Sequence, residues 1–187
     1  MLVVSIFEAA VTSKNYKDTA QIIWELEKRL VAELNVTAGG SRGLKINDGC
    51  DLAVLFIAKD GSVTVSAANT VVFVCDGEKV TKIKGQKIHI GDGALKGADS
   101  INVINIDANT SNKFYIASDG LYEQIGGSDS GQKLPFGYDT IEKIILENHK
   151  MSQDAISKKI FAAFEEYRGE NAQRDDFQLI TFKPFSF

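Results

Sequence analysis

Apolar side chains recur at Leu2, Val3, Ile6, Phe7, Ala10 and Val11, the three-and-four spacing of one helical face. Asn15 and Tyr16 interrupt it. Asp18 then stands where a helix cap belongs, ahead of an apolar stripe of Ile22, Ile23, Leu26, Leu30 and Leu34. Glu25, Lys28, Arg29 and Glu33 fall largely off that stripe, so the second helix is amphipathic. The run TAGGSRGLKINDG, residues 37–49, predicts a Gly-rich loop. From Cys50 the period shortens to two. Asp60-Gly61 and Asp76-Gly77 sit between Val/Ile/Phe runs as two-residue hairpin signals, predicting antiparallel strands near 50–58, 62–68, 70–75 and 79–83. A further pair, 101–106 and 113–118, brackets the loop DANTSN at 107–112. Helical spacing returns at 137–149 and at 152–167, where Ile156, Ile160, Phe161 and Phe164 are in register. FQLITFKPF, from Phe177, predicts a closing strand. Helices, a meander of strands, then helices and a last strand imply an α+β fold with segregated layers.

Bulk composition narrows the class. With 187 residues and 44% hydrophobic content, residues 1–187 read as a single domain with a real core. The net charge of −4, with basic residues dispersed among acidic ones, argues against nucleic acid as a partner. Cys50 and Cys75 lie in strand-like runs without CxxC spacing and are expected as buried, reduced thiols, which fits a cytoplasmic protein. The N-terminus carries Glu8 and lacks the basic leader and small-residue cleavage site of a signal peptide. No run approaches the ~20 apolar residues that cross a bilayer. The first helix begins in mid-pattern with no cap before it, so the chain is expected to be the C-terminal part of a larger domain.

Little in the sequence supports nucleophilic or zinc chemistry. His89 and His149 are the only histidines, a GxSxG elbow is absent, and two Cys with two His give no ligand spacing. The Gly-rich stretches at 37–49 and 126–131 match neither nucleotide-cradle layout. Carboxylates are better placed. In FYIASDGLYEQIGG, residues 114–127, an apolar strand stops on Asp119-Gly120, and Asp175 and Asp176 open the closing strand after RGENAQR. Hard oxygen ligands of this kind suit Mg²⁺ or Mn²⁺. Adjacent strands would set their end residues about 5 Å apart, so that Asp119 and Asp175 share ions. The plain alternative is a β-turn at Asp119-Gly120 and an ordinary strand start at Asp175-Asp176.

The pieces GCDLA, Ala-Ala-Asn, IGDG at 90–93, SDGLYEQIGG, FG at 136–137 and RGENAQRDDFQL come in an order that resembles the PPM-type metal-dependent serine/threonine phosphatases. The bacterial stage II sporulation E family and its sigma-factor-regulator relatives are most similar. The resemblance implies an αββα sandwich of antiparallel sheets flanked by helices, with a binuclear Mg²⁺/Mn²⁺ centre at one edge. It implies catalytic and metal-ligating roles for Asp119 and Asp175, and for Asp176 a contact to the loop or to metal-bound water. A metal-held water would attack phosphorus directly, without a phospho-enzyme. Tyr122, Glu123 and Gln124 then lead into a segment that is a mobile element beside the metals in the relatives; Tyr122 is otherwise a surface aromatic.

One part of the family pattern is missing. The DxxGHG motif, whose aspartate bridges the two metals, occurs nowhere in the chain, and the family's N-terminal strands are missing with it. Asp48 and Asp51 flank Gly49 in a region that could approach the site, but neither matches the missing ligand. Two functions follow from the resemblance: a phosphatase acting on a phosphoprotein such as an anti-anti-sigma-type regulator, or a non-catalytic interaction domain on the same scaffold. Missing strands would expose an edge and an apolar face, which predicts dimerisation, strand exchange or poor solubility; a homodimer or an upstream sensor domain is the expected partner.

Overall fold

A computed structural model of the chain describes residues 2–14, 17–33, 49–127 and 134–184. The predicted loop at 37–48, Leu34 and Asp48 lie outside the described residues. Two helices come first, α1 (Leu2–Lys14) and α2 (Thr19–Glu33). Strands β1 (Leu52–Ile57), β2 (Val63–Ala68), β3 (Val71–Cys75) and β4 (Val80–Lys84) follow. After a 3₁₀ turn at Ala98–Ser100 come β5 (Ile104–Ile106) and β6 (Lys113–Ala117). The short helix α3 (Asp119–Tyr122) precedes β7 (Ile125–Gly126) and β8 (Leu134–Pro135). Helices α4 (Tyr138–Glu147) and α5 (Gln153–Arg168) lead to β9 (Leu179–Phe182). This is the expected α+β class, with antiparallel strand pairs and helices.

The chain divides into two compact units. The first comprises residues 1–69 and 84–108. Its sheet has the order β1-β2-β5, with Leu52 opposite Ala68 and Val65 opposite Ile104. Asp18 caps α2 as expected, its Oδ1 accepting the Ala20 and Gln21 N–H groups at 3.0 and 3.2 Å. Ile22, Ile23, Leu26 and Leu30 of α2 are buried in a cluster with Val54, Ala68, Ile90, Leu95 and Ile101. Burial of such side chains contributes about 1.5–3 kcal/mol each. One buried position is not apolar. Glu27 is 2% exposed; its Oε2 accepts the Gly91 N–H, while its Oε1 has no hydrogen-bond partner.

The second unit comprises residues 70–83 and 109–187. Its sheet has the order β4-β3-β6-β9, with Val71 opposite Ala117 and Ala117 opposite Leu179. Phe73, Tyr115, Leu121, Ile141, Ile145, Ile156 and Phe164 form its core. Ser152 caps α5, its hydroxyl accepting the Ala155 N–H at 3.2 Å.

Several local expectations need correction. Turns form at both Asp-Gly pairs, with Gly61 and Gly77 at φ 87° and 98°; the first is longer than the predicted two residues, since Ala58 pairs with Ser62 across it, and Asp60 accepts the Ser62 N–H while Asp76 accepts those of Glu78 and Lys79. The strands do not make one meander: β2 and β3 belong to different sheets, and Asn69 between them is the only non-glycine residue with positive φ among those described. Strands β5 and β6 are not partners of each other either, since β5 pairs with β2 and β6 with β3 and β9. Phe161 is 51% exposed and meets the Phe177 ring, so it stands outside the stripe of Ile156, Ile160 and Phe164.

Candidate functional site

The predicted carboxylates lie in the second unit, and β6 is the element that places Asp119. Phe114, Tyr115 and Ala117 of β6 are buried, and neighbours on both edges hold the strand. The Thr70 hydroxyl donates to the Ala117 carbonyl at 3.2 Å. Pairing with the β9 side continues beyond both strand ends. Ser118 N–H donates to the Gln178 carbonyl at 3.1 Å, and Gln178 N–H donates to Ser118 Oγ at 2.8 Å.

Asp119 is therefore not the last residue of a strand. It is the first residue of α3, a single turn whose Leu121 and Tyr122 are buried. Tyr122, considered above as a surface aromatic, is 5% exposed and packs on Tyr138 with ring centroids 4.5 Å apart. Burial, reinforced by Tyr138, pushes its phenol well above the ordinary tyrosine range. With two consecutive side chains anchored in the core, the half-buried Asp119 is held at the rim. Its Oδ1 accepts the Gly120 N–H at 2.8 Å.

Asp175 and Asp176 are likewise not the start of a strand. Both are exposed in the loop before β9. Asp175 Oδ1 accepts the Asp176 N–H at 2.8 Å, and the Asp175 carbonyl accepts from Gln173 Nε2 at 2.8 Å. The structure brings this loop directly against Asp119-Gly120. A Cβ on Gly120 would lie 2.4 Å from the Asp176 carbonyl oxygen and 3.2 Å from that of Asp175. Only a residue without a side chain allows that approach.

The donor chemistry here fits a hard divalent cation as a partial set. Among the described residues none of the three carboxylates has a Lys, Arg or His ion-pair partner. Asp119 and Asp175 each commit one carboxylate oxygen to a neighbouring backbone N–H. The donor count is short, because no group of three His, Cys, Asp or Glu side chains able to hold a metal occurs among the described residues. Mg²⁺ and Mn²⁺ keep several waters, so two carboxylates are a workable protein contribution to one ion but not a complete binuclear cage.

Asp51, in the first unit, is occupied elsewhere: Oδ1 is 2.7 Å from His89 Nδ1, and Oδ2 accepts from Asn69 Nδ2 at 2.8 Å. Both cysteines are free; Cys75 is buried and Cys50 half-buried. Burial raises both thiol pKa values, with Asp51 adding to the effect at Cys50. No helix among the described residues is long and apolar enough to cross a membrane. Gln124, read from the sequence only as part of the segment after Tyr122, is fully buried and hydrogen-bonded to the loop that carries Asp175.

Comparison with known proteins adds to this geometry. The family model described as Stage II sporulation protein E (SpoIIE) matches residues 1–184. Among solved structures, the SiaA-PP2C domain of Pseudomonas aeruginosa superposes with a TM-score of 0.82 at 22% identity, over 98% of this chain and 68% of that one. The Bacillus subtilis SpoIIE PP2C phosphatase domain with a fragment of its regulatory domain gives 0.68 at 14% identity, over 98% and 47%. The Mycobacterium tuberculosis serine/threonine phosphatase PstP gives 0.61 at 10% identity, over 96% and 80%. Among curated protein sequences none matches significantly. At these identities the structural likeness establishes the fold, that of PP2C-type phosphatase domains.

Proposed function

From a chain that belongs to the stage II sporulation protein E family, we propose a metal-dependent phosphoprotein phosphatase module that hydrolyses phosphoserine or phosphothreonine. The observation that carries this reading is the packing of Asp119-Gly120 against the Asp175-Asp176 backbone, fixed by the paired Ser118–Gln178 hydrogen bonds. Asp119 and Asp175 would hold Mn²⁺ or Mg²⁺, and Asp176 would stand beside them. When bound, such an ion supplies a water of lowered pKa and positive charge opposite the phosphoryl oxygens. The protein's own part is positional. The anchored turn of α3 holds Asp119 with little freedom, and the exposed loop leaves Asp175 open to an incoming phosphoprotein. A bacterial anti-anti-sigma-type regulator is the proposed substrate class and the cytoplasm the proposed compartment. A homodimer, or a sensor domain joined to this module, is the proposed assembly.

A second reading, a non-catalytic interaction domain, is favoured by the short donor count among the described residues. Isothermal titration with Mn²⁺, followed by Mn²⁺-dependent hydrolysis of an aryl phosphate, separates the two. The phosphatase reading expects binding and turnover, both lost in Asp119→Ala. Binding without turnover in the wild type supports the interaction domain. No binding at saturating Mn²⁺ overturns the metal site.

A further inference from the structure

Gly120, next to Asp119, lies against the Asp175 and Asp176 carbonyls, and two side-chain devices bracket that approach. On one side is the Ser118–Gln178 pair. On the other is Gln124, which is 0% exposed. Its Nε2 donates to the Ile125 carbonyl at 2.9 Å and to the Ala172 carbonyl at 3.0 Å. Its Oε1 accepts the Arg174 N–H at 3.1 Å. Its own carbonyl accepts the Phe136 N–H at 2.8 Å. Both amide hydrogens are thus used, along with one carbonyl lone pair, so the side chain is committed in a single orientation. The other side-chain hydrogen bonds of residues 168–176 are local, Arg168 and Asn171 bonding each other's carbonyls and Gln173 reaching Asp175, while Phe177, beyond the two aspartates, packs on Phe161 and Phe164 of α5.

We propose that Gln124 is the positioning residue that sets Asp175 relative to Asp119. The inference rests on the metal-site reading and deepens it. Two bonds from a fully buried amide fix Ala172 and Arg174, and Arg174 directly precedes Asp175. A solvent-exposed residue offering the same bonds would trade them with water; this one has no such alternative. Partners that orient metal ligands are worth on the order of 10–100-fold in metal affinity.

The test compares wild type with Gln124→Leu, which keeps volume and removes every side-chain hydrogen bond, and with Gln124→Glu, which keeps an acceptor for Arg174 N–H and loses both donors. Ile145→Val, a core change on α4 in the same unit, serves as a stability control. Mn²⁺ affinity by titration calorimetry and amide hydrogen exchange at Arg174 are measured on metal-free and metal-loaded protein. Gln124→Leu is expected to weaken Mn²⁺ binding about tenfold or more and to speed Arg174 exchange in the metal-free protein. Gln124→Glu is expected to fall between, and Ile145→Val to lose melting temperature with Mn²⁺ affinity intact. Unchanged Arg174 exchange in Gln124→Leu overturns the positioning role, as does Mn²⁺ affinity equal to wild type. Equal losses of affinity in Gln124→Leu and Ile145→Val also overturn it, because general destabilisation would then suffice. Wild type that binds no Mn²⁺ overturns the metal-site reading itself.

Discussion

Replacing Gly120 by alanine tests the juxtaposition at its tightest point. The added Cβ would stand 2.4 Å from the Asp176 carbonyl oxygen, 2.9 Å from the Asp176 carbonyl carbon and 3.2 Å from the Asp175 carbonyl oxygen. An ordinary carbon–oxygen contact needs about 3.3 Å, so the loop has to retreat by about 0.9 Å. All three obstructing atoms are backbone, so no rotamer change relieves the clash. The loop is also held on both flanks, by Ser118 at Gln178 and by Gln124 at Ala172 and Arg174. Forced overpacking of this kind costs about 1–3 kcal/mol, and each kcal/mol lowers the melting midpoint of a domain this size by about 2–4 °C.

Functional loss should exceed the loss of stability. Misplacing a reacting group by about 1 Å costs on the order of 100-fold in rate, and Asp175 moves with the loop. The assays are thermal melting and Mn²⁺ titration of Gly120→Ala beside Gly97→Ala. Gly97 is an instructive control. Its added Cβ would lie 2.5 Å from Asp99 Oδ1, a similar distance, but that oxygen is the tip of a rotatable side chain and the Gly97 backbone is extended. Gly97→Ala should change stability by less than about 0.5 kcal/mol. Gly120→Ala with the melting point and Mn²⁺ affinity of wild type would refute the claim that Asp119-Gly120 and Asp175-Asp176 are in rigid contact.

Other consequences follow from buried polar groups. Glu27→Ala leaves the buried Gly91 N–H without its acceptor and should cost about 1–3 kcal/mol in urea unfolding; a neutral result would mean that the 90–93 turn is not held by α2. Tyr167→Phe removes the hydroxyl that donates to the Leu134 and Pro135 carbonyls at 2.9 and 3.2 Å, so hydrogen exchange should rise in the paired strands β7 and β8, with a stability loss of about 0.5–1.5 kcal/mol. Alkaline pH should destabilise the fold. Burial raises the phenols of Tyr115 and Tyr122 and the thiols of Cys50 and Cys75, so the folded chain keeps protons that the unfolded chain releases. Their stabilisation is complete below the unfolded pKa values and is lost as pH rises toward the folded ones. Urea midpoints should therefore fall between about pH 9 and pH 11, and a midpoint constant across that range would contradict the burial of these groups.

Features set by neighbouring residues were legible in the sequence. Asp18 announced a cap, and Asp60-Gly61 and Asp76-Gly77 announced turns, because each is decided within four residues. Glu27 was legible in principle: it lies four residues after Ile23 and three before Leu30, on the buried stripe, though it sits among the surface charges Glu25, Lys28 and Arg29. Strand partners were not legible, since alternation looks the same whichever strand lies alongside, and so β2 and β3 read as a meander. Asn69 was the available signal, because asparagine tolerates positive φ where the chain leaves one sheet for another. Gln124 gave none. Its hydrogen-bond partners lie in a loop some fifty residues away in the chain.

The same distinction applies to the carboxylates, whose approach depends on register. Asp119 follows β6 and Asp175 precedes β9, two strands paired with Phe114 opposite Phe182 and Ala117 opposite Leu179. Side chains alternate faces along a strand, so a slip of one residue would turn Phe182 away from the Phe114 ring, with which it stacks at 4.9 Å and 8°. It would also part Ser118 from Gln178, the bond that carries the pairing beyond the strand ends to the two acidic segments. An aromatic stack at the far end of two short strands therefore fixes which backbone atoms meet Gly120. The sequence carries that instruction only as two apolar runs, FYIA and LITF, whose pairing is decided by packing.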